Sequence, residues 1–257
     1  MPFPETPKVQ YNTNTLIEVI CQIRFPPILK IDSDLVRYQE LVRKEYPYFK
    51  ARLDGPPIGE TIGELPPKIV EFLGSSNRVY DFASEDEQWI VSLSKEFIAL
   101  RTFNYSNWSE FKSKFSNPLK VLENEFDPSF YSRIGLRYKN IIQRSNLGLN
   151  DVRWSELLSK NILNELATLD ESSVLNVAHK VEIQLNDLRG QVRIAHGFVL
   201  DNTKEICYLI DNDFFVEQKV AKNEAISTLN YFNERAGRLF HWCISDRLHD
   251  VLGPTQL

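Results

Sequence analysis

The sequence predicts an α+β fold made of two similar β-α-β(3-4)-α halves, with largely antiparallel sheets covered by long helices. Three observations carry that prediction. Many short runs alternate apolar and polar residues, the period-two signature of a strand with one buried face. Two longer stretches, near 107–126 and 223–252, repeat apolar residues at helical spacing instead. The order of these elements is nearly the same in residues 1–126 as in residues 127–257.

The first half opens with a proline-spaced leader. Ile17, Val19, Cys21, Ile23 and Phe25 then alternate with Glu18, Ile20, Gln22 and Arg24, a strand stopped by Pro26-Pro27. A helix is expected next, capped by Asp32 or Ser33 and carrying Leu35, Tyr38, Leu41, Val42 and Tyr46 as far as Pro47. Residues 54–67 are dense in Gly and Pro and read as a loop. Strands follow at 68–73, 78–84, 89–94 and 97–103, with Lys95-Glu96 as a tight hairpin turn lacking Gly or Asn. Asn107 and Glu110 form a capping-box pattern for a helix whose stripe is Trp108, Phe111, Phe115, Leu119, Leu122 and Phe126. Pro118 should kink or split that helix.

The second half repeats the order. Ser132, Ile134, Leu136 and Tyr138 alternate with Arg133, Gly135, Arg137 and Lys139. Residues 155–169 place Leu157, Leu158, Ile162, Leu166 and Leu169 on one helical side. Three strands are expected at 176–185, 191–200 and 205–218, the first two joined by a turn with Asn186, Asp187 and Gly190. One long helix should run from about Asn223 to Leu252, closed by Gly253-Pro254. The repetition implies an internal duplication, folded as two domains or as one compact domain.

Element order resembles the repeat of the TATA-box-binding-protein and helix-grip folds, a likeness that carries no function. The stretches "EVICQIRFPPIL", "FASEDEQWIVSLSKEFIALRTFNYSNWSEF" and "SRIGLRYKNII" together resemble an uncharacterised, sporadically distributed bacterial protein family of about this length. The resemblance implies a cytosolic accessory protein in a defence or toxin-antitoxin setting. It carries over no catalytic residue.

Charge excludes some classes. Residues 1–126 hold 15 basic against 18 acidic side chains and residues 127–257 hold 15 against 17, so neither half offers the basic excess of a phosphate-backbone binder. Nucleic acid is therefore not an expected partner. Cys21, Cys207 and Cys243 each lie in an apolar segment and read as reduced, buried thiols of a cytoplasmic protein. No apolar run is long enough to span a bilayer, so no membrane association is expected. There is no P-loop, G-x-G-x-x-G or G-x-S-x-G, and no cofactor is predicted.

Four arginines on polar strand positions, Arg24, Arg133, Arg137 and Arg193, are the candidate ligand-binding residues. If the first strands of the halves are neighbours, their planar forks could converge on a phosphate or carboxylate. The plainer reading is a solvated sheet face balanced by acids. Asp211 and Asp213 are weak metal candidates, a pair around Asn212 that more often marks a turn or bulge. His241, Ser245 and His249 recur every four residues but lack the zincin glutamate, and read as the wet flank of a helix. Exposed aromatics near element ends, Tyr46, Tyr48, Phe49, Tyr105, Phe214 and Phe215, suit a protein partner or rim packing. The function expected is non-catalytic binding of a protein partner. A sensor or enzyme for a small anionic, phosphorylated or nucleotide-derived ligand is the alternative.

Overall fold

The structure, a computed structural model, describes residues 3–53, 78–185 and 189–256. It is an α+β fold whose larger sheet has the strand order β3-β4-β5-β6-β2-β7-β10-β9-β8, beside a two-stranded β1-β11 sheet. The strands are β1 (Val9–Tyr11), β2 (Leu16–Arg24), β3 (Tyr48–Leu53), β4 (Arg78–Ala83), β5 (Trp89–Leu93) and β6 (Phe97–Thr102), followed by β7 (Arg133–Ile142), β8 (Ala178–Gln184), β9 (Gln191–Leu200), β10 (Ile206–Val216) and β11 (Pro254–Gln256). Helices are α1 (Lys30–Ser33), α2 (Leu35–Val42), α3 (Trp108–Phe126), α4 (Trp154–Leu157), α5 (Ala225–Cys243) and α6 (Asp246–Val251). The chain divides into two compact units, residues 20–134 with 218–223, and residues 1–19, 135–217 and 224–257. The division cuts through β2 and β7. The strand order runs β2-β6-β5-β4-β3 in one series and β7-β10-β9-β8 in the other, so each first strand neighbours the last strand of its own series.

In the unit containing residues 20–134, α3 is capped as expected: the Glu110 N–H donates to Asn107 Oδ1 at 2.9 Å. The Glu110 carboxylate accepts from Ser106 rather than reaching back to the cap. Phe111, Phe115, Leu119, Leu122 and Phe126 of its stripe are buried. Pro118 does not split the helix. A proline there removes the N–H that would bond the Lys114 carbonyl, and Tyr46 Oη donates to that carbonyl instead at 2.8 Å. Tyr38 Oη donates to the Pro118 carbonyl at 3.2 Å. The Tyr46 hydroxyl thus mends the helix from outside it, and Tyr38 adds a second anchor on the same turn.

The helix expected from Asp32 to Tyr46 is corrected to two shorter ones broken at Asp34. Neither expected cap serves, because Asp32 Oδ1 accepts from Tyr80 Oη and the Ser33 hydroxyl donates to the Lys30 carbonyl. Strand β3 is an addition that the proline-rich surroundings hid. The expected loop at 54–67 and strand at 68–73 lie outside the described residues. The Lys95-Glu96 hairpin is present, and Ser94 Oγ accepts from the N–H groups of Glu96 and Phe97, at 3.2 Å each. Beyond β2, Phe25 and Ile28 donate their N–H groups to the carbonyls of Glu96 and Lys95.

In the other unit, α5 lies against β10, where Phe232 meets Phe214 with ring centroids 6.1 Å apart. Two corrections apply here. The helix expected at 155–169 is only the single turn α4 and a 3-10 turn, Asn164–Ala167. Leu158 is extended and bridges to Ile244, while the Ser159 N–H donates to the Cys243 carbonyl, and these tertiary bonds compete with helix continuation. Its leucines still serve the core, with Leu157, Leu158, Ile162 and Leu166 buried and Leu169 exposed. The final helix likewise breaks after Cys243, since the extended Ile244 makes that bridge and Ser245 caps α6 by accepting from the Leu248 N–H. Strands β8, β9 and β10 fall where expected; Asn186 and Asp187 of their turn lie outside the described residues.

Candidate functional site

Strand alternation and register build a row of charges in the unit holding residues 135–217. Asp213 lies opposite Arg193 in the β10-β9 pair, and Arg193 lies opposite Glu182 in the β9-β8 pair. Arg137 grips Asp211 with both tines of its fork, Nε to Oδ1 at 2.7 Å and Nη2 to Oδ2 at 2.5 Å. Those hydrogen bonds push the already high Arg137 pKa higher, so the guanidinium is permanently charged. Lys139 Nζ meets Glu18 Oε2 at 2.5 Å. Arg193 Nε and Nη2 bond Glu182 Oε2 at 3.0 and 2.9 Å, its Nη1 is 3.9 Å from Asp213, and it rests over the Phe215 ring. Each cation in this row therefore already holds a carboxylate. An incoming anion would have to displace a geometrically good partner, which costs more than filling an open guanidinium.

The four candidate arginines fall into different units. Arg24 and Arg133 belong to the unit of residues 20–134, Arg137 and Arg193 to the other. Arg24 is exposed, and Arg133 is half-buried with Nη1 3.4 Å from Gln22 Oε1. Asp211 and Asp213 sit inside β10, so the turn or bulge suggested by Asp-Asn-Asp does not form. Their spacing points both to the face of Arg137 and Arg193. Between them Asn212, 0% exposed, turns the other way, and its amide has no hydrogen-bond partner among the described residues. No group of three His, Cys, Asp or Glu side chains among the described residues is arranged to hold a metal ion.

The helix break rearranges the histidine series. Ser245 is spent as a cap, while His241 and His249 stack with centroids 4.5 Å apart and His249 Nδ1 bonds Tyr11 Oη at 2.8 Å. Burial, then the neighbouring His249, holds the His241 pKa below its ordinary value. All three cysteines are free and buried. Burial raises each thiol, Cys243 to about 12, so none is primed as a nucleophile. Of the aromatics expected at the surface, Tyr46, Phe214 and Phe215 are buried, and Tyr105 is half-buried. Only Tyr48 and Phe49, 51% and 44% exposed, present themselves to solvent, both on the edge strand β3.

One cluster escaped the reading of the sequence. His179 and His196 are register partners on β8 and β9 and stack with centroids 5.3 Å apart. His196 Nδ1 lies 2.7 Å from Tyr208 Oη, and His179 Nε2 lies 3.0 Å from Glu165. Burial lifts the Tyr208 phenol far from ionisation, so it donates and His196 Nδ1 accepts. Burial, then the His179 charge, lowers His196 to about 4. The signal was available: counting outward six residues from Leu185 and from Gly190, which are hydrogen-bonded across the turn, pairs the two histidines. A neutral histidine locked to a phenol and closed under a stack is packing chemistry, with no open position for a reacting group.

No family model, curated protein or solved structure matches this chain. No helix among the described residues is long and apolar enough to cross a membrane.

Proposed function

We propose that the chain is a non-catalytic, cytosolic accessory protein that binds another protein, with edge strand β3 as part of the docking surface. The observation that carries this reading is the exposure of all six β3 residues, Tyr48, Phe49 and Leu53 among them, at one end of the strand order. Edge strands offer unpaired backbone groups, and aromatic side chains beside Lys50 and Arg52 match the chemistry of protein interfaces. The charge row supports the same reading from the other direction, because its cations hold carboxylates already. Three free thiols fit a reducing compartment.

The test pairs two measurements. Tagged protein expressed in its own host should retain a stoichiometric protein partner, and Tyr48→Ser with Lys50→Glu should release it. Inorganic phosphate, pyrophosphate and ATP should leave the melting temperature unchanged. A melting temperature that rises with one of these anions, and stops rising in Arg24→Ala or Arg137→Ala, would overturn the proposal in favour of an anion sensor.

A further inference from the structure

We infer that strand β8 is a homotypic interface, joining its free edge to β8 of a second copy about a twofold axis at Val181. Strand β8 is distinct from β3, and its self-pairing does not depend on the identity of any other partner.

The backbone comes first. β8 ends the strand order, and its residues from Ala178 to Gln184 all pair in register with β9. The Leu185 N–H donates to Gly190 and the Phe198 N–H donates to Val177. In an antiparallel ladder, hydrogen-bonded and non-bonded pairs alternate, so odd-numbered β8 residues face β9. Ala178, Lys180, Glu182 and Gln184 must then turn their N–H and C=O groups outward. Among the described residues none of these outward groups meets a partner, and all four residues are exposed. The strand carries no proline and is the last in the strand order among the described residues.

Register comes second. Antiparallel pairing of β8 with itself about Val181 uses the whole strand and places Lys180 opposite Glu182 twice. It also sets Val181 against Val181, His179 against Ile183 and Ala178 against Gln184. The outward-facing residues 178, 180, 182 and 184 become the hydrogen-bonded pairs, as the parity requires. Val181, 46% exposed, becomes a non-hydrogen-bonded pair, the kind that brings side chains closest. Moving the axis by one residue opposes Lys180 to Lys180 or Glu182 to Glu182, with like charges face to face. Charge and apolar exposure therefore select this register, and backbone parity permits it while excluding an axis that falls between residues. An edge contact of this length is small beside a standard interface, so the association is concentration-dependent.

The test uses the full chain in sedimentation velocity over a concentration series. Wild type should pass from monomer to dimer. Lys180→Glu and Glu182→Lys each set like charges at both reciprocal pairs, and each alone should dimerise at least about tenfold more weakly. Mixed in equal amounts they should restore dimer, because two acids on the strand of one variant then face two bases on the strand of the other. Lys180→Pro removes an outward N–H without touching the β8-β9 ladder and should also abolish dimer. Wild type that stays monomeric throughout the series, or dimer that survives Lys180→Pro or fails to return in the mixture, would sink the inference.

Discussion

Gly197 shows how a single backbone position can fix a strand pair. Its φ of +154° is one that side-chain-bearing residues rarely adopt, and an added Cβ would stand 1.9 Å from the Val177 carbonyl oxygen. The obstacle is backbone, which cannot swing aside. Just beyond it the Phe198 N–H donates to that same Val177 carbonyl, the hydrogen bond at one end of the β8-β9 ladder. Gly197→Ala should therefore lower unfolding free energy by about 2–4 kcal/mol in urea titration, against a typical loss near ~1 kcal/mol for point changes. A loss below about 1 kcal/mol would mean that the approach of Val177 is not enforced.

At the scale of elements, the mending of α3 gives a sharper test. Tyr46→Phe deletes the donor to the Lys114 carbonyl that Pro118 left without an amide, and should cost about 1–3 kcal/mol. In a Pro118→Ala background the helix supplies its own N–H, and the same change should cost clearly less. A double-mutant cycle on denaturation free energies measures the difference, and an additive cycle would refute the compensation. Elements also show what the sequence could tell. Period-two runs placed β2, β7, β9 and β10 well, because a pleated strand buries alternate residues whatever its neighbours. Helical spacing failed at 155–169, where the apolar residues other than Leu169 are buried but Ser159 and Leu158 bond to the 242–244 segment instead of to their own turn. Strand β3 was missed for another reason: Phe49, Ala51 and Leu53 do alternate with Tyr48, Lys50 and Arg52, but Pro47 and the proline-rich stretch after Leu53 mask so short a run.

For the whole molecule, proton uptake on unfolding links the buried His196 to global stability. Its folded pKa of about 4 lies below the ordinary 6.5, so between these values the unfolded chain binds the proton first. Stability should be unaffected by this group above pH 6.5 and decline as pH falls from 6.5 towards 4, by at most about 3 kcal/mol in all. Carboxylates titrate there too, so the readout is the difference between wild type and His196→Phe. That difference should be flat above pH 6.5 and slope below it; a flat line throughout would rule out the coupling. The arginine site was legible only as a list. Sequence alternation placed Arg137 and Arg193 on polar faces, but which acid each would hold depended on β7, β8, β9 and β10 being sheet neighbours. Non-local pairing of that kind leaves no trace in a single stretch of residues.

Translation delivers the two halves of the α3 repair far apart in time. Tyr46 leaves the ribosome 68 residues before Lys114, and until the later segment arrives its hydroxyl has only water to bond. The nascent stretch around Pro118 is equally incomplete, a coil that can wind on either side of the proline but not seal across it. Secondary structure here is thus a product of long-range encounter, and the segment that carries Tyr46 must wait for the chain beyond it before the longest described helix of its unit can be finished.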